Sequence, residues 1–370
     1  MAKRPCALEG LVLNKLFGGA YSGRKVLVTG HTGFKGSWLC LWLTTLGAHI
    51  TGLALAPDTE PSHWTLLDLN GVRDLHVDLR NGAAVRQTLE EIRPEIVFHL
   101  AAQPLVRRGY REPLLTFDTN VLGLVHLLEA ARNAHSVRAL VNVTTDKVYL
   151  EQATGTGYRE DHPLGGHDPY STSKACAELV TECYRKSFLG NEGIRVATAR
   201  AGNVIGGGDW SEDRLVPDLV RAASTGEVAQ IRNPGAIRPW QHVLEPLSGY
   251  LQLGQKLLAG DQVEGAWNFG PAADATLPVQ DLVSRMQAQW PGLRSAYHPG
   301  PHPHEAKVLQ LDCSKAAQKL AWRSIWNADE TLRRTVQWYR AYYERGQLRS
   351  DEDLREYVNA AHAAGLEWAE

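Results

Sequence analysis

The sequence predicts an α/β fold: a doubly wound parallel sheet of the Rossmann type, joined to a smaller C-terminal α/β region. Apolar segments of strand length alternate with helical patterns through residues 24–202, which is typical of a parallel sheet with helices on both faces. The first strand runs directly into a glycine-rich turn that opens a helix. From Asn203 onward, a loop around Gly206, Gly207 and Gly208 interrupts the alternation and marks the start of the second region.

Length and composition are those of a globular protein. The 370 residues allow one large domain or two interleaved ones, and 44% hydrophobic with 22% charged residues predict little disorder. The 39 basic and 41 acidic side chains give a formal net charge of −2. Because a nearly neutral chain has no field that attracts nucleic acid or an anionic membrane, we expect neither as a partner.

The cysteines favour a reducing compartment. They are five in number and form no CxxC pair, so we expect neither a disulfide framework nor a metal site. Residues 1–23 lack the long apolar core of a signal peptide, and no segment reads as long and apolar enough to cross a bilayer. We therefore expect a cytoplasmic protein with a loosely attached N-terminal extension over residues 1–23.

A strand predicted at Lys25–Thr29 leads into the first candidate site. The glycines after it let the backbone approach a pyrophosphate, whose charge then lies at the amide-rich start of the next helix. Three glycines occur in other tight turns as well, but their position between strand and helix favours a dinucleotide site. The expected cofactor-binding residues of this turn are Gly30, Thr32, Gly33, Phe34, Lys35 and Gly36.

The second strand, at residues 49–55, lacks an expected acid. An NAD-binding protein usually ends this strand in a carboxylate that binds the adenosine ribose. Here the position holds Leu53, Ala54 and Leu55, and the nearest acid is Asp58. Since no arginine takes the position either, NAD is favoured over NADP, with weak retention expected.

The third strand, predicted at residues 75–78, ends in Asp78. Its carboxylate either hydrogen-bonds the adenine amine of a cofactor or caps the helix that follows Asn81. The fourth strand, at residues 95–100, is followed by small residues that leave room for a ligand at the carboxyl end of the sheet. The candidate cofactor-binding residues here are Asp78, Leu79, Leu100, Ala101, Ala102 and Gln103.

A tyrosine and a lysine four residues apart form the candidate catalytic pair. A helix from Pro113 with a buried Asn120 and a fifth strand at residues 139–143 precede them, and Asp168 caps the helix on which they lie. At this spacing, Tyr170 and Lys174 share one helix face. A cation beside a phenol lowers the phenol's pKa and suits it as a base for hydroxyl protons. Such pairs are common on helices, so the pair alone does not establish catalysis.

After a sixth strand at residues 195–199 the second region begins. We expect helices at residues 216–223, 247–258 and 330–343, strands at 228–231 and 267–269, the latter able to return to the sheet, and a polar loop at 303–305. Arg232, Arg238 and His242 can clamp a diphosphate, because guanidinium groups bind such oxygens bidentately. The alternative is a solvated basic loop.

These residues resemble the extended short-chain dehydrogenase/reductase superfamily and, within it, the CDP-glucose 4,6-dehydratases. The most specific matches are residues 30–38, 99–108, 146–147, 165–174, 200–210, 238–243 and 303–306. Tyr170 and Lys174 mark only the superfamily. Asp146 and Lys147 point to the branch, because the related dTDP- and GDP-sugar dehydratases usually carry an Asp-Glu or similar acidic pair there.

The resemblance implies an NAD-dependent lyase that converts CDP-glucose to CDP-4-keto-6-deoxyglucose and water. Tyr170, its pKa lowered by Lys174 and the oxidised nicotinamide, takes the proton of the sugar's 4-hydroxyl while hydride leaves C4 for the cofactor. Thr145 hydrogen-bonds the same oxygen. Lys147 then acts as the C5 base, Asp146 protonates the departing 6-hydroxyl, and hydride returns to C6. Lys147 has to be neutral part of the time, which burial or the nearby Lys174 favours.

The resemblance also implies a division of labour along the chain. Residues 24–202, with return elements near 243–270, form the NAD-binding domain, and residues 203–370 mainly bind the nucleotide sugar. A homodimer is expected through the helices that carry Pro113 and Tyr170. The implied substrate-binding residues are Gln103, Asn203, Arg214, Arg232, Arg238 and His304.

Other functions stay open on the sequence alone. A 4-epimerase or a dTDP- or GDP-sugar dehydratase would use the same tyrosine and lysine, although an epimerase has no need of Asp146 and Lys147. A non-catalytic dinucleotide sensor on this fold would not need Tyr170 and Lys174 together. Asp146 and Lys147 could also be an ion pair that caps the strand.

Overall fold

A computed structural model describes residues 13–151, 156–272, 275–297 and 310–370. Its strands are β1 Lys25–Thr29, β2 His49–Ala54, β3 Arg73–His76, β4 Ile96–His99, β5 Ala139–Val143, β6 Arg195–Ala201, β7 Val204–Ile205, β8 Val228–Ile231, β9 Ile237–Pro239, β10 Gln241–His242, β11 Gly265–Phe269, β12 Thr276–Pro278 and β13 Arg294–Tyr297. Seven of them form a parallel sheet in the order β11-β6-β5-β4-β1-β2-β3. The predicted doubly wound parallel sheet is therefore confirmed.

Helices cover both faces of this sheet. They are α1 Phe34–Thr45, α2 His63–Leu67, α3 Gly82–Ile92, α4 Val106–Arg111, α5 Pro113–Phe117, α6 Gly123–Asn133, α7 Pro169–Ser187, α8 Leu215–Thr225, α9 Leu244–Ala259, α10 Val279–Gln289, α11 Ser314–Leu320, α12 Ala328–Arg345 and α13 Ser350–Ala363. Successive strand residues point to opposite faces. Val26 and Val28 therefore belong to the core with α1 and α9, whereas Leu27 packs with α3, α6 and α7.

The second region forms three small two-stranded sheets beside the carboxyl ends of the central strands. β7 pairs with β10 and β8 with β13 in parallel, while β9 pairs with β12 in the antiparallel direction. The predicted strand at residues 228–231 coincides with β8. β11 returns to the central sheet beside β6, as the sequence predicted.

The helix predicted from Pro113 is long but irregular. α5 continues through a π-helical turn, Asp118–Leu122, into α6. Among the described residues, this helix alone passes a test of length and composition for crossing a membrane, with a hydropathy of 1.2 over Pro113–Asn133. The prediction that no segment is long and apolar enough is therefore wrong by that measure. A core helix passes the same test, and Leu124, Leu127 and Leu128 of this one are fully buried.

The N-terminal extension is not loosely attached over its described part. Leu16, Phe17 and Tyr21 are buried, and the Phe17 ring stacks on Trp368 near the C-terminus at 5.0 Å between centroids. The Tyr21 hydroxyl donates a hydrogen bond to the Leu251 carbonyl. The prediction of a loose extension is therefore wrong for residues 13–23, because their aromatic side chains complete a core that the C-terminal end closes.

The described cysteines and acids add no covalent or metal cross-link. Cys40, Cys176, Cys183 and Cys313 are free thiols. Within the described ranges, no group of three or more His, Cys, Asp or Glu side chains is arranged to hold a metal ion.

Candidate active site

The glycine-rich turn between β1 and α1 closes tightly on itself. Gly30 has a φ of +74°, which favours glycine, and a Cβ there would lie 2.6 Å from the Ala101 nitrogen. A Cβ at Gly36 would lie 2.1 Å from the Gly30 carbonyl oxygen. Gly33 is the N-cap of α1, and no side chain of the described residues caps that end. The backbone amide groups at this helix N-terminus therefore have no side-chain cap within the described ranges. Such an arrangement is suited to binding a pyrophosphate.

Lys35 takes the most unusual position in this turn. Its ammonium lies 5.9 Å from the centre of the Tyr250 ring. Burial and the positive charge of Arg214 lower the pKa of Lys35 to about 7, and the Asp146 carboxylate acts in the opposite direction. The Lys35 ammonium thus lies close enough to Arg214, Asp146 and Lys174 for their charges to act on its pKa, although the sequence predicted only a contact with the cofactor.

The acids near β2 and β3 are already bound by arginines. Asp58 accepts a hydrogen bond from Arg108 at 2.7 Å. β3 ends at His76 rather than at Asp78, and the Asp78 carboxylate accepts from the Arg80 guanidinium at 2.6 Å. The alternative that Asp78 caps the following helix is wrong, because Asn81 is the N-cap of α3. The adenine contact of Asp78 stays a prediction, and it would share the carboxylate with Arg80.

The loop after β4 is held against β1. The Leu100 and Ala101 amides donate to the Thr29 carbonyl and hydroxyl at 3.1 and 3.3 Å. Gln103 is buried, and its side chain donates to Thr116 at 2.8 Å while it accepts from the Leu105 amide at 2.7 Å. These two bonds use the Gln103 side chain to shape the loop, and this competes with the predicted contacts to cofactor and substrate.

Asn120 fills the buried polar role that the sequence predicted. Its side-chain oxygen accepts from the Gln103 amide at 2.7 Å, and its nitrogen donates to the Ser173 hydroxyl at 2.9 Å. Ser173 lies on α7, next to Lys174. Asn120 therefore connects the loop after β4 to the helix α7.

The residues after β5 form a short 3₁₀ turn that presents Asp146 and Lys147. Thr145 is the N-cap of this turn, and its hydroxyl donates to the Asp146 carboxylate at 3.0 Å. Asp146 is buried, and its Oδ2 atom has no hydrogen-bond partner among the described residues. Burial raises the pKa of the Asp146 carboxyl, and the charge of Lys147 is the largest influence against that rise. A carboxyl with a raised pKa is suited to donating a proton.

Tyr170 and Lys174 lie where the sequence placed them, at the start of α7. Asp168 caps this helix by accepting from the Ser171 amide at 3.0 Å, and Pro169 is its first residue. Lys174 is buried and its ammonium donates to the Val143 carbonyl, the last residue of β5, at 2.8 Å. This bond holds α7 against the end of β5.

The pKa of Tyr170 differs from the expectation. Burial raises it to about 12, and the largest opposing influences come from the Thr145 hydrogen bond and the charge of Arg214 rather than from Lys174. Burial also lowers the pKa of Lys174 to about 8. The pKa of the phenol is therefore high among the protein's own groups, because desolvation of the phenolate outweighs the charges nearby. The lowering by Lys174 together with the oxidised nicotinamide stays a prediction.

Two of the predicted substrate-binding residues of the second region, Arg214 and Arg238, lie close enough to Tyr170 and Asp146 to affect their pKa values. The Asn203 carbonyl accepts from the Gln241 amide, which ties the residue to β10. Arg238 is buried and its positive charge reaches Asp146. Arg214 donates to Asp209 at 3.0 Å, and its charge reaches Tyr170. His304 lies outside the described residues.

A group of salt bridges that the sequence did not reveal spans the cleft mouth. Arg232 binds the Asp213 carboxylate at 3.1 Å, and Arg107 of α4 binds the same oxygen at 3.3 Å. Arg111 of α4 binds Glu212 at 2.9 Å. The two bridges from Arg107 and Arg111 join α4 of the first region to the loop before α8. Their partners are more than a hundred residues apart, and only folding brings them together, whereas Arg232 and Asp213 are 19 residues apart.

Comparisons with known proteins place the chain in a family. The family model described as GDP-mannose 4,6 dehydratase matches residues 27–335. A CDP-glucose 4,6-dehydratase from Salmonella typhimurium is 47% identical over 351 residues, covering 92% of this chain and 98% of that protein. The chain belongs to this 4,6-dehydratase family.

Other members and neighbours of the dehydratase family are more distant. A dTDP-glucose 4,6-dehydratase from Xanthomonas campestris is 25% identical and covers 85% of this chain and 92% of its own. The crystal structure of a UDP-glucose 4-epimerase from Thermus thermophilus in complex with NAD superposes with a TM-score of 0.75 at 26% identity. That match covers 85% of this chain and 99% of the epimerase. Dehydratases and epimerases thus share this fold.

Proposed function

We propose that the protein is a CDP-glucose 4,6-dehydratase, a hydro-lyase that forms CDP-4-keto-6-deoxyglucose and water. The observation that carries this proposal is the placement of Asp146 and Lys147 directly after β5, against the buried end of α7 that bears Tyr170 and Lys174. The oxidation of a hydroxyl needs only Tyr170 and Lys174. Asp146 and Lys147 add an acid and a base for the loss of water.

In this proposal, residues 24–202 bind NAD together with α9 and β11, the return elements near residues 243–270. Residues 203–370 mainly bind the nucleotide sugar. The bare N-terminus of α1 and the close turn at Gly30 and Gly36 support a pyrophosphate site there. NAD, when bound, supplies the two-electron acceptor for oxidation at C4, the donor for the closing reduction at C6, and a positive charge near Tyr170.

The Tyr170 phenolate takes the proton of the sugar's 4-hydroxyl in the first step. Thr145, whose hydrogen bond already lowers the pKa of the phenol, orients the same oxygen. The ammonium of Lys174 adds a positive charge at the base of α7, held by the Val143 carbonyl. Oxidation at C4 then gives a ketone, which makes the neighbouring C5 proton acidic.

Lys147 takes the C5 proton and Asp146 gives a proton to the departing 6-hydroxyl. The C6–O bond breaks as the C5–C6 double bond forms, and water leaves. In the closing reduction the proton held by Lys147 returns to C5, and Asp146 regains through solvent the equivalent of the proton that Tyr170 took. The raised pKa of Asp146 supports its role as the acid. The arginines Arg214, Arg232 and Arg238 supply the cations that a diphosphate requires in a chain of net charge −2.

Turnover with a panel of nucleotide sugars tests this function. We expect CDP-glucose to be converted faster than dTDP-, UDP- or GDP-glucose, and addition of NAD to raise the rate, since β2 ends without the usual ribose-binding acid. The product is measured as the alkali-induced absorbance of a 4-keto-6-deoxy sugar. A 4-epimer lacks this absorbance, so a converted sugar without it indicates an epimerase. No conversion of CDP-glucose would overturn the proposal.

We also propose a cytoplasmic homodimer that pairs the helices carrying Pro113 and Tyr170. Large apolar side chains on these helices face solvent in the single chain: Leu114 is 82%, Leu122 52% and Leu179 59% exposed. Covering them removes apolar area from water. Sedimentation is expected to give a dimer for the native protein and a monomer for Leu114→Glu with Leu179→Glu. A native monomer would contradict the proposal.

A further inference from the structure

The catalytic helix α7 carries a buried ion pair that the proposed reaction does not use directly. Glu178 lies one helical turn after Lys174, and its carboxylate binds the Arg200 guanidinium of β6 at 2.9 and 3.0 Å. Both side chains are only 3% exposed. A buried pair of this kind contributes little net stability, because desolvation offsets the attraction between the charges. Stability therefore does not explain why this pair is buried there, and its position beside Lys174 points to a role in the active site.

The Glu178 carboxylate also binds the segment that connects β5 to the turn with Asp146 and Lys147, and it binds the neighbouring strand β6. Thr144, directly before Thr145, donates its hydroxyl to Glu178 in a short hydrogen bond of 2.5 Å. Thr198 of β6 donates to the other carboxylate oxygen at 2.7 Å. The Thr144 amide in turn donates to the Ala199 carbonyl at 2.9 Å. The end of β5 is thus fixed to α7 and to β6 through one carboxylate.

Arg200 extends the same network to β11, at the edge of the central sheet. Its guanidinium donates to the Tyr149 hydroxyl at 2.8 Å, and that hydroxyl donates to the Asn268 side chain of β11 at 2.7 Å. Tyr149 follows the catalytic 3₁₀ turn in the chain. The turn with Asp146 and Lys147 is therefore anchored on both sides, by Thr144 before it and by Tyr149 after it.

Glu178 is also the negative charge that faces Lys174. Burial lowers the pKa of Lys174, and Glu178 is the group that acts to raise it. Other charged or titratable groups near Lys174 are Lys35 at the start of α1, His99 at the end of β4 and Tyr170 one turn earlier on α7. The positive charge of Arg200, bound to Glu178, partly offsets the effect of that carboxylate. Lys35 is basic, and burial holds His99 neutral by lowering its pKa to about 3. Glu178 therefore opposes the loss of the Lys174 proton that burial favours.

We propose that Glu178 is a positioning residue, a role that rests on the proposed dehydratase function. Its buried carboxylate keeps Lys174 charged and holds the end of β5 in register with α7. It touches neither substrate nor cofactor. Through these two contacts it aligns Thr145, Asp146 and Lys147 with Tyr170, so that oxidation and water loss take place on one bound sugar.

Glu178→Gln tests the proposal, with Glu182→Gln on the same helix as the matched control. Glu182 lies near the surface, where it forms partly exposed ion pairs with Arg185 and Lys186. We expect Glu178→Gln to lower kcat for CDP-glucose about tenfold or more at neutral pH with KM little changed. The basic limb of the kcat profile moves to lower pH, because Lys174 loses its proton earlier without the carboxylate. The control variant is expected to keep the native kcat and the native position of the basic limb.

A second experiment measures the pKa of Lys174 directly, without any catalytic turnover. In protein labelled with ¹³C at the lysine Cε, the Lys174 resonance, assigned with Lys174→Met, is expected to titrate about one pKa unit lower in Glu178→Gln. Because a lone buried Arg200 is destabilising, the double variant Glu178→Gln with Arg200→Met removes both charges if the single variant does not fold. It is expected to shift the titration in the same direction.

The two readouts separate this proposal from the proposed function. An unchanged Lys174 titration, or a kcat loss with an unshifted basic limb, would overturn the positioning role while CDP-glucose turnover by the native protein stands. If the native protein does not turn over CDP-glucose, the proposed function fails, and the lysine titration still decides whether Glu178 controls Lys174.

Discussion

Replacing Tyr170 with Phe is expected to lower kcat for CDP-glucose by about 10²- to 10⁴-fold, the usual contribution of a general base. The substitution removes one buried hydroxyl and leaves the ring, so α7 and the cleft keep their shape. KM is expected to change little, because the arginines of the second region hold the diphosphate. Initial rates of 4-keto-6-deoxy product formation measure the effect.

The pH dependence gives this prediction a second check. Because burial raises the pKa of Tyr170 to about 12, the phenolate is scarce at neutral pH, and the native rate should rise with pH on its acid side. Tyr170→Phe loses this limb. Tyr184→Phe, the same change on the same helix away from the cleft, serves as the control. A Tyr170→Phe rate within twofold of the native one would exclude the phenol as the base.

Replacing Lys147 with Met, or Asp146 with Asn, is expected to stop the loss of water after the oxidation. We expect product formation to fall by about 10²- to 10⁴-fold in each variant. Oxidation at C4 needs only Tyr170 and Lys174, so reduced nicotinamide should accumulate in a single turnover. Its absorbance, followed together with the product, separates the two steps.

Exchange of the C5 hydrogen with deuterated water distinguishes the two residues. Asp146→Asn keeps the proposed C5 base, so exchange into the trapped 4-keto sugar is expected to continue. Lys147→Met is expected to lose it. Asp161→Asn and Lys186→Met change exposed residues of the same types and are the matched controls. If both active-site variants kept native turnover, the two residues would be an ion pair that caps β5 and nothing more.

Local signals explain which elements the sequence predicted well. β1 and β5 coincide with their predicted bounds, because each is a short apolar run between residues that end strands. α7 starts where Asp168 and Pro169 predict it, since capping and the proline ring act on neighbouring residues alone. The Tyr170 and Lys174 pair follows from the same helix.

Long-range contacts explain what the sequence analysis missed. Residues 13–23 carry aromatic side chains, but only the fold shows that Phe17 completes a core with Trp368. Gln103 looked like a ligand-binding residue, and the structure uses its amide to hold the loop. Glu178 lies four residues after Lys174, a spacing that could have drawn attention to it, but its partner Arg200 belongs to another strand.

The sequence by itself determined the fold class and the glycine turn, because both depend on periodicity, caps and residue types that neighbouring positions reveal. It also predicted Tyr170 and Lys174 as a catalytic pair from their spacing, whereas the predicted roles of Asp146 and Lys147 came from the resemblance to the CDP-glucose 4,6-dehydratases. Only the tertiary structure decided the electrostatics of those residues. Burial raises the pKa of Tyr170, lowers that of Lys174 and raises that of Asp146. Desolvation depends on every atom that packs around a group, and those atoms come from distant parts of the chain.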